Sequence, residues 1–232
     1  MGAGAITGPV IIKLARGLAA LSLALTSLAA SGAAHAAAAE PVVLPLTDAV
    51  AALPLAVEAR DGYSRDAFRH WNAGANPTDG CSTRGEVLIA EAVTAPAVGA
   101  RCALTGGTWF SYYDEATVTT ASGLDIDHMV PLAEAWDSGA FAWTAERREA
   151  YANDLGQDSS LVAVTARSNR SKSDQDPAQW LPPATSALCR YVSEWTATKL
   201  RWDLATDQSE HDRLTELAAG CGDTTVIYEP AS

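Results

Sequence analysis

Three side chains in this chain have the types and spacing of phosphoryl chemistry. Asp127 and His128 stand side by side in "LDIDHMVPLAEAW", and Asn169 lies some forty residues on, in "SNRSKSDQDPAQWLPP". A neutral imidazole is the side chain best poised to take a proton from water near neutral pH. Asp127 and Asn169 both offer oxygen atoms, which suit a hard divalent cation, Mg²⁺ first, with Mn²⁺ or Ca²⁺ accepting the same donors. Such a cation polarises a phosphate oxygen and stabilises a leaving alkoxide while the histidine activates water. Arg167, Arg170 and Lys172 surround the asparagine and are candidates to hold phosphate oxygens through charge-assisted hydrogen bonds.

These residues need elements that bring them together. "DIDHMV" and "SLVAVTA" read as strands, with a short helix starting near Arg167, which amounts to a ββα-metal arrangement within an α+β fold. Neighbours on a regular strand point to opposite faces, so Asp127 and His128 serve one site only where the strand is irregular or ends. Pro131 favours that. "TAERREAYANDL" reads as a helix capped by Thr144. Leu188, Tyr191, Val192 and Trp195 fall on one helical face, and Asp207 with Glu210 reads as the capping box of a following helix. "LTGGTWFSYYDEATVTTASG" suggests short strands or a hairpin, "LTDAVAAL" a short helix, and "EVLIAEAV" either a strand or a buried helix.

The 232 residues suffice for one sizeable domain. Residues 1–36 carry Lys13 and Arg16, an uncharged apolar run and then Ala34-His35-Ala36, the layout of a secretory signal peptide. Residues 37–60 read as a lead-in segment whose early part is poorly ordered, and 61–232 as the folded domain, exported and free of the membrane once the leader is gone. Removing the leader takes the formal charge from −12 to −14, because two positive charges leave with it and no negative ones. Four cysteines in an exported chain read as disulfides. Of three possible pairings, Cys81–Cys102 with Cys189–Cys221 closes two short loops, each constraint worth roughly 2–4 kcal/mol. Zinc-knuckle spacing is absent.

The segments "DIDHMVPLAEAW", "AYANDL" and "NRSKSDQDPAQWLPP", preceded by "GYSRDAFRHW" and "GCSTRGEVL", resemble the secreted HNH endonuclease family, related to the C-terminal nuclease domain of GmrSD-type restriction enzymes. The resemblance runs from about Tyr63 to the Cys221 region. It implies an HNH (His-Me) ββα-metal core and metal-dependent hydrolysis of DNA phosphodiesters, leaving 5′-phosphate and 3′-hydroxyl ends. Asp127 and Asn169 resemble the metal ligands and His128 the general base. The middle asparagine of the motif, which braces the loop holding the histidine, has no obvious counterpart. Ser160 occupies its place and Asn153 is the nearest asparagine, the reading preferred here.

The other polar residues have plainer readings. His70 is expected to pack, His211 to face solvent, Asp174 and Asp176 to be solvated loop acids, and Trp180 and Trp195 to belong to the core. Arg84 and Glu86 face the site or form a structural ion pair. An acidic protein repels a polyanion at long range, so a local basic cluster and a bound cation must serve the site, giving weak, salt-sensitive binding of low sequence specificity. No protein partner is implied. The alternative to a nuclease is an inactive exported binding module of the same fold.

Overall fold

The computed structural model describes Met1 and residues 40–231. The leader expected over residues 1–36 lies, Met1 apart, outside the described residues. In chain order the elements are β1 (Val42–Pro45), α1 (Leu46–Ala51), α2 (Thr83–Ala90), β2 (Ala97–Val98), β3 (Leu104–Thr105), β4 (Trp109–Ser111), β5 (Ala116–Val118), β6 (Leu124–His128), α3 (Leu132–Asp137), α4 (Ala145–Ala152), β7 (Leu161–Thr165), α5 (Ala166–Lys172), α6 (Leu188–Trp202), α7 (Gln208–Ala219) and β8 (Thr225–Tyr228). Short 3₁₀ turns join several of them, one at Arg65–Ala67.

The strands form antiparallel pairs rather than one sheet: β1 with β8, β2 with β3, β4 with β5, and β6 with β7. The β6–β7 pair is the centre. Its register sets Asp127 opposite Val162 and His128 opposite Leu161, and α5 follows directly from β7. Alternation then sorts the side chains. Val162 and Val164 join a large core with Tyr113, Met129, Tyr151, Tyr191 and Trp195. Leu124, Ile126, Leu161 and Ala163 join a smaller one with Val87, Leu88 and Trp109.

Helix ends follow local chemistry. The Thr144 side chain accepts the Arg147 N–H at the start of α4, and Asp207 accepts that of Glu210 at the start of α7. The capping box expected at α7 is only half made. The Glu210 side chain turns inward and accepts from Trp195 Nε1 at 2.5 Å and Lys199 Nζ at 2.6 Å. Lys199 also donates to Glu134 Oε1, Ser138 Oγ and the Ala205 carbonyl, so one buried ammonium ties α3, α6 and α7 together.

Of the ambiguous "EVLIAEAV", Glu86 to Ala90 form the body and end of helix α2, capped at its start by Ser82, and the last three residues lie beyond it. The lead-in is a correction. β1 pairs along its length with β8, and Leu46, Ala49, Val50 and Leu53 are buried in the large core, so this stretch belongs to the fold. Both disulfides form in the expected pairing, Cys81–Cys102 beside α2 and Cys189–Cys221 between α6 and the end of α7.

Candidate active site

β6 runs regularly to His128 and stops there; Met129 N donates to the Ser160 carbonyl, and Pro131 precedes α3. At this strand end a cavity of about 290 Å³ is lined by Asp127, His128 and Asn169, together with Arg65, Arg170, Ser173 and Asp174 and the apolar Ile126, Pro131 and Leu132. Residues from β6, from the segment that follows it and from α5 therefore meet, although Asp127 and His128 are neighbours on a strand and leave it on different sides.

His128 is almost wholly buried. Its Nε2 donates to the Ala152 carbonyl at 3.0 Å, one of the carbonyls that the last turn of α4 leaves without a helical partner. A carbonyl only accepts, so the proton sits on Nε2 and the lone pair on Nδ1, which has no hydrogen-bond partner among the described residues. Burial pushes the ring's pKa down to about 3, the Ala152 bond opposing it. The imidazole is thus held in its neutral, proton-accepting form. Its ring packs against Trp71 at 5.4 Å, His70 at 6.0 Å and Tyr151 at 6.4 Å.

Asp127 is held from the other side. Its Oδ2 accepts from the Tyr113 hydroxyl at 2.7 Å and from Lys172 Nζ at 2.5 Å. Burial raises the carboxyl's pKa and lowers that of the ammonium, and each partner offsets the shift of the other. Oδ1 has no hydrogen bond from the described residues. Asn169 donates its Nδ2 to Asp125 Oδ2 at 3.4 Å, and its Oδ1 likewise carries none. Two residues with unengaged oxygen donors line one cavity, a donor set that fits a hard divalent cation.

The basic residues divide three ways. Arg170 lines the cavity and donates Nε to Asp125 at 3.2 Å. Arg167 is exposed and does not line it. Lys172 is a correction: it is 0% exposed, donates also to the His128 and Met129 carbonyls, and lies among the rings of Tyr113, Tyr191 and Trp195. A phosphate cannot reach it. Its place follows from helical spacing, since Ser168 and Lys172 share the buried face of α5.

Asn153 does not touch His128. As the C-cap of α4 it accepts from the Asn72 N–H and the Thr83 hydroxyl and donates to the Arg69 and Glu149 carbonyls. It therefore ties down the loop that carries His70 and Trp71. Ser160 binds Asp154 through its hydroxyl. Arg84 donates to the Ala121 and Leu124 carbonyls and braces the start of β6 instead of pairing with Glu86. His70 Nδ1 donates to the Phe68 carbonyl at 2.7 Å, a bracing bond. Trp195 is core, and Trp180 packs on Tyr113 while donating to Ser171. Asp176 is a second correction, for it is buried and accepts from the Ala178 and Gln179 N–H groups.

Two residues of the site escape a reading of the sequence. Arg65 lines the cavity from the 3₁₀ turn. Trp71 takes a left-handed backbone, φ 61°, a conformation costing a bulky residue roughly 1–3 kcal/mol and tolerated where the surroundings impose it. The only trace of either in the sequence is their place in the family-like "GYSRDAFRHW".

Two other features compete for attention. A larger cavity of about 820 Å³ is lined by Glu86, Glu91, Asp158 and Glu194 with Arg190, and contains none of Asp127, His128, Asn153, Asn169 and the basic residues expected beside them. Its acidic lining repels phosphate. Glu58, Glu134 and Asp176 bring carboxylate oxygens within 4.8 Å of one another, but one Glu134 oxygen already serves Lys199, and none of the three lines the cavity at Asp127.

The family model for the C-terminal domain of GmrSD restriction endonucleases matches residues 97–217, more than half of the chain and all of the stretch from Asp127 to Asn169. The chain belongs to this family. An uncharacterized secreted protein of Arthroderma benhamiae is 44% identical over 162 residues, which cover 70% of this chain and 77% of that protein. No solved structure matches the chain.

Proposed function

We propose that this GmrSD C-terminal-domain protein is an exported, metal-dependent endonuclease that hydrolyses DNA phosphodiester bonds with low sequence specificity. The observation that carries the reading is the cavity at the end of β6, lined by His128, whose Nδ1 carries no hydrogen bond from the described residues, and by Asp127 and Asn169, each with an Oδ1 that carries none. Membership of a nuclease family and a secreted relative support it. In this reading β6, β7 and α5 are the ββα-metal core.

His128 Nδ1 takes a proton from water as the oxygen attacks phosphorus. The bond from phosphorus to the 3′ oxygen breaks, that oxygen gains a proton from solvent, and a 5′-phosphate and a 3′-hydroxyl remain. Asp127 and Asn169 would hold a divalent cation, Mg²⁺ being the best match to two oxygen donors plus water, and the cation would supply Lewis acidity at the phosphate. The Ala152 carbonyl fixes the tautomer of the base. Lys172 and Tyr113 fix the orientation of Asp127, and Asn153 holds the loop whose Trp71 packs on the base. Arg170 meets the substrate backbone, with Arg167 beside it on the exposed side of α5.

Lys172 cancels the charge of Asp127 before any cation arrives. The resident pull of Asp127 on a metal would therefore be weak. The test is cleavage of supercoiled plasmid by the mature, oxidised protein with Mg²⁺ or Mn²⁺ against EDTA. Cation-dependent nicking is expected, and a folded protein that cuts under no cation would return it to the inactive binding-module class.

A further inference from the structure

Of the charged side chains around the cavity, one cation has no ion-pair partner among the described residues. Asp127 is neutralised by Lys172. Arg170 is paired with Asp125 at 3.2 Å. Asp174 has Arg60 at 3.9 Å, and Arg60 is shared with Asp137. His128 is neutral. Arg65 lines the same cavity, is exposed, and has no carboxylate within 4.0 Å among the described residues; the Tyr63 hydroxyl is its polar neighbour.

The backbone beneath Arg65 is well anchored. Ser64 caps the turn by accepting the Asp66 N–H, Arg148 Nε donates to the Ala67 carbonyl at 3.2 Å, and Phe68 is 0% exposed among Tyr63, Trp136 and Tyr151. The turn is built to present a residue at the mouth of the cavity, while the Arg65 head group itself contributes no ion pair to the fold. A planar guanidinium with unused donors matches the paired oxygens of a phosphate.

We propose that Arg65 grips a backbone phosphate of the nucleic acid at the cavity and so sets its position against His128. The proposal rests on the nuclease reading above. Arg65 and Arg170 enter from chain segments about a hundred residues apart and face the cavity together. The phosphate between them meets the unpaired guanidinium of Arg65 first, because Arg170 must share its donors with Asp125.

The experiment is steady-state cleavage of a defined duplex at several salt concentrations by wild type, Arg65→Gln, Arg65→Lys and His128→Ala, with unfolding midpoints measured alongside. Loss of one charge-assisted contact lowers kcat/KM roughly ten- to a hundredfold. The fall is expected mainly in KM. The slope of log kcat/KM against log salt is expected to become shallower by about one, as when one phosphate contact is lost. Arg65→Lys should restore the slope and only part of KM, since an ammonium keeps the charge without the fork. Unfolding midpoints should stay unchanged. Wild-type KM and salt slope in Arg65→Gln, beside an inactive His128→Ala, would overturn the assignment of Arg65 and leave the nuclease reading standing. A wild type that cuts nothing would remove both.

Discussion

Replacing Lys172 by Met separates its structural role from the phosphate-binding role that its setting in "NRSK" suggests. Lys172, itself 0% exposed, gives hydrogen bonds from Nζ to Asp127 Oδ2 at 2.5 Å, the Met129 carbonyl at 2.8 Å and the His128 carbonyl at 3.1 Å. The methionine fills similar volume but strands a buried carboxylate and two backbone acceptors. Removing one partner of a buried ion pair costs about 3–5 kcal/mol, mostly from the charge left uncompensated. Asp127→Asn in the same chain removes that charge, so the double variant should recover about 2 kcal/mol or more relative to the sum of the single changes. Urea unfolding of the oxidised proteins at neutral pH reads this directly as midpoint shifts at constant slope. Additive effects within about 0.5 kcal/mol, or a Lys172→Met protein as stable as wild type with only a shallower salt dependence of cleavage, would refute the argument.

Three further outcomes are expected. Asn169→Ala should lower metal-dependent cleavage by at least about a hundredfold, yet move the unfolding midpoint little, because its side chain makes one long hydrogen bond to Asp125; normal cleavage would remove it from the metal site. Glu91 sits against β7 with its Oε2 accepting the Ala163 N–H, and burial raises its pKa to about 7. The native state thus keeps a proton that the unfolded chain has released above about 4.5, so stability falls as pH rises from about 4.5 to about 7, by a contribution on the order of 3 kcal/mol. Glu91→Gln should flatten that window in pH-dependent urea melts, and an unchanged profile would contradict the assignment. Reduction of both disulfides, spanning 21 and 32 residues, should destabilise the fold by about 3 kcal/mol per bridge, read as a lowered melting temperature in reductant.

Much of the frame is written locally. Thr144 and Asp207 mark helix starts because each caps an N–H three residues on, and Leu188 through Trp195 show their buried face by spacing alone. Asp127, His128 and Asn169 were legible because their chemistry is unusual in combination, and the cavity does bring them to one place. What failed to show were long-range electrostatic choices. Lys172 reads as a phosphate contact, and Lys199 carries no local signal, until their partners Asp127, Glu134 and Glu210 arrive from other elements. Glu210 fits a capping box, and a buried ammonium outcompetes the helix end for its carboxylate. "EVLIAEAV" has no period that separates strand from helix, and the disulfide beside it and the packing on β7 decide for helix. Arg65 gives no local signal, since only the turn's position at the cavity sets it apart from any exposed arginine.

The central claim stands on His128. Cleavage of plasmid by the folded His128→Ala protein in Mg²⁺, beside wild type and with circular dichroism matched, tests it most directly. The account predicts loss of at least about 10²–10⁴-fold in rate with the fold retained. Wild-type cutting by that variant would contradict it.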